Sequence, residues 1–249
     1  MKTLLIGLAF ILGLESQAQS YSNDFSGVNQ KWIQHVNTGS SSIKDLYTTD
    51  ALKVFSDGTT LNTTDDIANH LFTTLKGAHS IKTKKRLTAH EKRQIDYEVS
   101  QFRVKNNENY KQLIIWEKVD GRDVRAFEFI EKSGEFTAPV KELNQRREEW
   151  MKYCNAHDVS ALVNDLYTSN TIYFNHKPAV IGTEKLIKEY SYMENPAYSL
   201  KLEPIIIEAV NKELVFEIGQ CQGSYNGKYV LIWQKDSDGK WKVLVDSNI

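Results

Sequence analysis

Few residues of this chain have types and spacings that indicate a specific chemistry. Asp246 lies near the end of the last predicted strand, where a carboxylate either serves as a polar group in a pocket or faces water. The chain contains no His-Glu-x-x-His motif, no clustered Cys and His, no glycine-rich phosphate loop and no nucleophile elbow. Zinc hydrolase, nucleotide-binding and serine hydrolase activities therefore lack support. We expect no metal site and no cofactor.

The composition argues against several classes of partner. Of 249 residues, 31 are basic and 32 acidic, so a formal net charge of −1 provides no global field for nucleic acid or an anionic membrane. The basic run at residues 82–86 is interpreted as the solvated face of a strand. Only two cysteines occur, Cys154 and Cys221, too few for a disulfide-dense scaffold. One bridge or two separately buried thiols would both fit the sequence.

The N-terminal residues are typical of a signal peptide. A single lysine precedes an apolar run over residues 4–12, which is too short to span a bilayer as a mature helix. Ser16-Gln17-Ala18 places small residues at the two positions that a signal peptidase recognises. No cysteine lies near this point, so we expect no lipid anchor. We expect residues 1–18 to be removed and the mature protein to be periplasmic or secreted.

An internal repeat organises the rest of the chain. Its three blocks pair residues 32–37 with 150–155, 45–48 with 165–168, and 113–121 with 230–239. Three matches in the same order at nearly one offset indicate a duplication. We predict a first domain at residues 19–134 and a second at residues 135–249.

The order of predicted elements is that of an α+β fold. The second domain is predicted to contain two helices, a short strand, a helix and four strands, at residues 139–156, 158–166, 171–174, 182–190, 200–210, 213–225, 228–235 and 241–246. The first domain repeats the strands at residues 81–89, 94–104, 110–118 and 124–130. This order differs from the strict alternation of a parallel α/β sheet. Each domain is therefore predicted to wrap a curved antiparallel sheet around its helices.

The second domain resembles a known family. The resemblance is carried by residues 150–158, the Leu-Tyr-Thr block, the Pro-Ala-Val-Ile-Gly turn at residues 178–182, the strand at residues 229–233 and the segment at residues 239–246. These segments are similar to the DUF4440 and SnoaL-like branch of the nuclear transport factor 2 and ketosteroid isomerase (NTF2-like) superfamily. The first domain shares the Trp, Leu-Tyr and Ile-Trp blocks but lacks the Pro-x-x-x-Gly turn before its third helix. The resemblance implies two tandem cone domains, whose pockets serve isomerisation, cyclisation or dehydration in some members and binding in others.

Only some of the residues that the isomerase reaction of that superfamily requires are found at the matching positions of this chain. It needs a carboxylate base at the end of the first strand and a hydrogen-bond donor on the first helix. In the second domain these positions fall at Asn175, which is no base at neutral pH, and at Trp150, whose indole N–H can donate. In the first domain Asp57 stands near the base position, although Asp followed by Gly is also an ordinary turn. His176 lies in a turn that is either a surface turn or near the pocket.

Three functions remain open from the sequence, and we rank them in this order. The first is binding of a small apolar molecule without catalysis. The residues expected to line the pocket are Trp150, Tyr153, Tyr173, Asn175, Trp233 and Asp246. The second is a protein interaction module whose cones are filled by their own side chains. The third is a proton-transfer enzyme with Asp57 or Asp246 as the base.

The predicted strands also suggest how the two domains meet. Tyr229, Leu231 and Trp233 alternate with Val230 and Ile232, so both faces of the strand are apolar. One face covers the helices of its own domain, which leaves the other needing a partner. We therefore expect an intramolecular pseudo-dimer with a sheet-to-sheet interface, and neither nucleic acid nor a membrane as a partner.

The mature protein is predicted to begin at Gln19, because Ser16-Gln17-Ala18 is the suitable small-residue pattern after the apolar run. N-terminal sequencing of the exported protein checks this. Exported protein that still carries Met1 would contradict it.

Overall fold

A computed structural model describes residues 26–175 and 177–248 of the chain. The signal-peptide prediction for residues 1–18 and the prediction about His176 fall outside these described residues. Within them, two parts of the chain repeat one arrangement of helices and six strands. We call these parts the first copy and the second copy.

The bounds of the elements follow the repeat. The first copy contains α1 (Ser26–Thr38), β1 (Tyr47–Val54), β2 (Thr60–Leu61), α2 (Thr64–Thr74), β3 (His79–His90), β4 (Ile95–Val104), β5 (Glu108–Val119) and β6 (Arg122–Lys132). The second copy contains α3 (Val140–Asn155), α4 (Val159–Leu166), β7 (Tyr167–Tyr173), β8 (Val180–Ile181), α5 (Thr183–Glu189), β9 (Leu200–Ala209), β10 (Leu214–Gly223), β11 (Gly227–Lys235) and β12 (Trp241–Ser247). Short 3-10 helices occur at Ser41–Leu46, Lys105–Asn107 and Tyr190–Glu194.

Each copy forms a six-stranded sheet with the same strand order. The orders are β2-β1-β6-β5-β4-β3 and β8-β7-β12-β11-β10-β9. Neighbouring strands are antiparallel except β1 beside β6 and β7 beside β12, which are parallel. The prediction of two tandem α+β cone domains is confirmed, but the prediction of purely antiparallel sheets is wrong at this pair. The last strand of each meander returns beside the strand that precedes the helical crossover, and it runs in the same direction.

Local sequence signals set several element boundaries. Asp158 caps α4, because its Oδ1 accepts a hydrogen bond from Ala161 N at 2.9 Å. Asp120 and Gly121 both have positive φ, as a tight hairpin between β5 and β6 requires. The first copy has the 3-10 helix Ser41–Leu46 where the second copy has the longer α-helix α4.

Hydrophobic clusters fill both cones and the space between the sheets. One cluster lies between helices and sheet in each copy. A further cluster takes buried residues from both sheets. Phe127 packs against Phe174 with 5.3 Å between ring centroids, and Phe129 packs against Phe216 at 5.7 Å. The face of each sheet that points away from its own cone is therefore covered by the other copy.

Polar contacts join the copies at the turn between β1 and β2. Asn170 Nδ2 donates a hydrogen bond to the carbonyl oxygen of Asp57 at 2.7 Å. Gln234 Nε2 donates to the carbonyl oxygen of Ser56 at 2.6 Å. The turn is thus held against the second copy through the backbone carbonyls of Ser56 and Asp57, and Asn170 packs so closely against Gly58 that a side chain there would collide with it.

We propose that the copies pack as this pseudo-dimer in solution, which a double-mutant cycle tests. Phe129→Ala and Phe216→Ala should each cost about 3–5 kcal/mol of unfolding free energy. Because the two rings are in contact, urea unfolding of the double variant should show a coupling energy of about 0.5–1.5 kcal/mol. Leu162→Ala, in the cone cluster of the second copy, is the control and should be additive with Phe129→Ala. Additive costs for the two phenylalanines would contradict the packing.

Candidate functional site

The repeat places two carboxylates at one position of the fold. Where β1 and β6 run side by side, Lys53 lies opposite Glu128. Where β7 and β12 run side by side, Tyr173 lies opposite Asp246. Glu128 and Asp246 are therefore equivalent, and both are buried. Their surroundings differ in charge.

Glu128 is neutralised by cations of its own copy. Lys53 Nζ lies 2.8 Å from its Oε1, and Arg125 NH1 donates a hydrogen bond to its Oε2. The Tyr47 hydroxyl donates to Oε2 at 2.7 Å. Burial disfavours the charged carboxyl, but the two cations and the hydrogen bonds outweigh this effect and lower the pKa of Glu128 to about 2. Glu128 therefore stays ionised across the physiological range.

The Arg125 side chain occupies the centre of the first cone. Its guanidinium carbon lies 4.6 Å from the ring centroid of Trp32 and 5.2 Å from that of Trp116. Its nitrogens donate hydrogen bonds to Asn29 Oδ1 at 3.0 Å and to Gln112 Oε1 at 3.2 Å. Cation–π contacts and hydrogen bonds of this kind compensate a buried charge. The first cone is filled by its own side chains.

Within the described residues, no cation pairs with Asp246. The Tyr167 hydroxyl donates a hydrogen bond to Asp246 Oδ2 at 3.0 Å, and the Tyr190 hydroxyl donates to the same oxygen. Burial raises the pKa of Asp246 to about 6, although the two tyrosine hydrogen bonds oppose the rise. A buried carboxyl held only by neutral donors is the electrostatic feature that distinguishes the second cone from the first.

Two substitutions between the copies account for this difference. Tyr173 stands where the first copy has Lys53. Val243, opposite the first residue of β7, stands where the first copy has Arg125, opposite the first residue of β1. Both cations of the first cone are therefore replaced by uncharged side chains.

A small cavity adjoins Asp246. Its volume is about 20 Å³, enough for one water molecule. Its wall is mostly aromatic, aliphatic and sulfur-containing, and the lining residues are Trp150, Tyr190, Met193, Tyr198, Leu200, Leu202, Cys221, Tyr225, Tyr229, Asp246 and Asn248. The indole N–H of Trp150 is buried without an acceptor in hydrogen-bond geometry. Both tyrosines donate to Oδ2 of Asp246, which leaves Oδ1 as an acceptor for an occupant.

A second buried carboxylate supports the wall of this cavity. Glu217 accepts hydrogen bonds from the Tyr229 hydroxyl at 2.7 Å and from Trp233 Nε1 at 2.9 Å. The first copy has the equivalent bond, from Trp116 Nε1 to Glu98 at 2.9 Å. The indole-to-carboxylate bond is therefore a shared structural element of both cones, whereas the surroundings of Asp246 are particular to the second.

The structure brings together only some of the sequence-predicted pocket residues. Trp150 and Asp246 line the cavity. Trp233 is buried beside them, with its ring centroid 6.4 Å from that of Trp150. Tyr153 is not among the residues that line the cavity, and its hydroxyl faces Asp165 Oδ2 at 3.4 Å.

Tyr173 and Asn175 form a layer next to the cavity rather than its wall. The Tyr173 hydroxyl donates a hydrogen bond to Asn248 Oδ1 at 3.3 Å. The backbone N–H of Asn248 donates to Asn175 Oδ1 at 2.8 Å. Both residues therefore hold Asn248, which lines the cavity, in position.

Asp57 does not lie in a cone. It is exposed in the turn between β1 and β2, where its carboxylate accepts hydrogen bonds from Thr59 N at 2.9 Å and Thr59 Oγ1 at 2.6 Å. These bonds lower the pKa of Asp57. The Asp-Gly pair forms an ordinary turn because β1 ends at Val54, before the chain reaches the acid.

The cysteines and the metal-ligating side chains of the described residues add no further candidate site. Cys154 and Cys221 are buried free thiols, and burial raises the pKa of each to about 12. The described part of the chain contains no group of three or more His, Cys, Asp and Glu that could hold a metal ion. None of the helices in residues 26–175 and 177–248 is long and apolar enough to cross a membrane.

Sequence reasoning missed the donors to Asp246 and the acid beside the cavity wall. Tyr167 belongs to the repeated Asp-Leu-Tyr-Thr block, so pairing it with Tyr47 would have indicated a shared role. Glu217 is a lone acid inside an otherwise apolar strand, which is a recognisable sign of a buried carboxylate. Tyr190 carries no comparable signal, since it reaches Asp246 only through tertiary packing.

Each of the solved structures similar to this chain matches a part of it about as long as one copy. Several of these structures are described as NTF2-like or ketosteroid isomerase-like proteins. An NTF2-like protein of unknown function from Shewanella oneidensis is 15% identical over 44% of this chain and 98% of its own, with a TM-score of 0.40. A ketosteroid isomerase-like protein from Erwinia carotovora atroseptica is 13% identical over 45% of this chain and 95% of its own, with a TM-score of 0.38. An NTF2-like protein of unknown function from Pseudomonas putida is 16% identical over 46% and 87%, with a TM-score of 0.38.

These similarities concern the fold alone. No protein-family model and no curated protein matches the chain. The finer assignment to the DUF4440 and SnoaL-like branch therefore stays a prediction.

Because Asp246 is buried, we expect the free energy of unfolding to fall as the pH rises from about 4 to about 6. Its folded-state pKa of about 6 exceeds the ordinary value of 3.8, so in this window the folded protein holds a proton that the unfolded chain releases. The expected loss is about 3 kcal/mol of unfolding free energy. Asp246→Asn should remove this contribution and leave that of Glu217, whose pKa burial also raises, as measured by urea unfolding at about pH 4 and about pH 7.

Glu128→Gln is the matched control for this measurement. The pKa of Glu128 lies at about 2, so this variant should lose stability at every pH, because Lys53 and Arg125 lose their partner. It should nevertheless keep the decline between about pH 4 and about pH 6. An unchanged decline in Asp246→Asn would show that another group causes it.

Proposed function

We propose that the second copy binds a small organic molecule in its cone, with the first copy as its structural partner. One observation carries the proposal. Asp246 is buried beside a cavity, and no cation of residues 26–175 and 177–248 pairs with it, whereas Glu128, its equivalent, is neutralised on both oxygens. The second cone therefore keeps the buried carboxylate of the first cone, but its described residues do not supply the cation that pairs with it.

Polar groups in the cavity wall that an occupant could engage support binding. A buried polar group without a partner destabilises a folded protein by about 1–3 kcal/mol. The indole N–H of Trp150 in this wall is buried beside the Cys154 thiol, without an acceptor in hydrogen-bond geometry, and neither tyrosine donates to Asp246 Oδ1. An occupant that satisfies these atoms while contacting the aromatic wall recovers this free energy.

An organic ligand requires the cavity to widen. A volume of about 20 Å³ holds a water molecule but not an organic molecule. The half-buried residues of the wall, Tyr198, Tyr225 and Asn248, mark its outer end. We infer that the ligand enters there and displaces side chains of the segment that follows α5, which contributes Tyr190 and Met193.

The same geometry supports proton-transfer catalysis as a second candidate. A carboxyl with its pKa raised to about 6 is suited to act as a general base near neutral pH. The hydroxyl groups of Tyr167 and Tyr190 supply neutral donors beside it. Recovery of a bound molecule in chemically altered form would favour this candidate over binding alone.

The two copies are proposed to have different roles. The first copy has a filled cone and contributes one side of the shared hydrophobic cluster, which suits an interaction role. We also propose that the protein acts in the periplasm or outside the cell, on the strength of the sequence pattern at residues 1–18.

Indole N–H signals provide a direct test, because the chain has five tryptophans. Trp150 lines the cavity, while Trp32 is its equivalent in the first copy and donates to the Tyr47 hydroxyl at 2.9 Å. In NMR titrations with benzylamine, benzyl alcohol and benzoate, at least one probe should shift the Trp150 signal saturably and leave the Trp32 signal in place. The variants Trp150→Phe and Trp32→Phe assign the two signals. Absence of a saturable shift with all three probes would refute the proposed site.

A further inference from the structure

The first copy shows which group fits beside the conserved carboxylate. The guanidinium of Arg125 donates to Glu128 and to Gln112, and it lies over the ring of Trp32. Its partners are a carboxylate, a polar side chain on the neighbouring strand and an indole on the helix. Together they form a complete site for an organic cation, occupied by a side chain of the protein itself.

The second copy keeps equivalents of these partners, but its described residues supply no cation between them. The equivalents of Glu128, Gln112 and Trp32 are Asp246, Tyr229 and Trp150, by the strand pairing and the repeat. All three of these second-copy residues line the cavity. The buried residue at the position equivalent to Arg125 is Val243. The cavity therefore lies where the first copy holds its guanidinium group.

The balance of buried charges in the two cones also indicates that the described residues of the second cone supply one cation fewer than those of the first. In the first cone, the cations Lys53 and Arg125 balance the carboxylates of Glu98 and Glu128. In the second cone, the carboxylates of Glu217 and Asp246 face a single cation, Arg147, whose Nε lies 2.8 Å from Glu217. The other buried arginine of the second copy, Arg146, is bound outside the cone to Glu149 and Asp165. Among the described residues, the second cone thus lacks one positive charge.

We propose that the ligand of the second cone is a small organic cation, whose primary ammonium or guanidinium head group takes the place that Arg125 fills in the first copy. This inference rests on the proposed function, because it names the chemistry of the molecule bound there. Asp246 Oδ1 accepts a hydrogen bond from the head group. The rings of Trp150 and Tyr229 supply cation–π attraction, as Trp32 and Trp116 do for Arg125.

Probes of one shape and different charge test the inference. In the NMR titration of the Trp150 indole signal, benzylamine should bind at least tenfold more tightly than benzyl alcohol, and benzoate should give no saturable shift. Butylamine and butanol repeat the comparison without a ring. Equal dissociation constants for amine and alcohol would overturn the cation inference and leave the proposed binding function intact. No binding by any probe would overturn both.

Asp246→Asn separates an electrostatic contribution from a structural one. The variant should weaken benzylamine binding at least tenfold and change benzyl alcohol binding less than twofold. Equal weakening of both probes would show that the side chain only maintains the shape of the cavity, which would overturn the inference. The inference would also be overturned if the variant bound benzylamine as tightly as the unmodified protein does.

Val243→Arg places an internal cation in the second cone, at the position of Arg125. It should abolish the effect of benzylamine on the Trp150 signal, because the new guanidinium competes for Asp246. Val119→Arg, at an exposed strand end of the first copy, adds the same charge outside both cones and should bind benzylamine normally. A folded Val243→Arg protein that binds benzylamine with unchanged affinity would overturn the inference. If circular dichroism shows that Val243→Arg is unfolded, the binding of benzylamine and benzyl alcohol to Asp246→Asn tests the inference instead.

Discussion

The free energy of keeping a carboxylate out of water governs both halves of this molecule. A buried acid needs a cation, hydrogen-bond donors or a proton. Glu128 has two cations and a tyrosine, and it remains ionised. Asp246 has two tyrosines, and its affinity for protons rises. The difference between a filled cone and one with a cavity follows from which of these partners the chain supplies.

The sheet-to-sheet cluster makes this arrangement stable. It buries the outer face of each sheet against the other copy, with Phe129 against Phe216 and Phe127 against Phe174. Since these faces are used for packing, each cone keeps its own interior, bounded by its helices and the inner face of its sheet. A polar or incompletely packed cone interior can therefore be tolerated without loss of the shared core.

The sequence predicts most of the scaffold and little of the site, for physical reasons. The hairpin at Asp120 and Gly121 and the cap at Asp158 depend on neighbouring residues, so local patterns are sufficient. The parallel pairing of β7 with β12 and the bond from Tyr190 to Asp246 join distant segments, and only the folded chain specifies them. Asp246 was recognisable as a candidate by its place at a strand end, but its missing cation becomes visible only beside Glu128.

The duplication permits a kind of asymmetry that two identical subunits cannot have. In a symmetric dimer every substitution appears twice, so a destabilising acid in one cone would be repeated in the other. Here the two sheets belong to one chain and share one core, while Lys53 and Arg125 occur in the first cone and Tyr173 and Val243 in the second. Fusion thus breaks the symmetry: one half of the molecule is free to specialise, while the other retains its internal counter-ions and supports the fold.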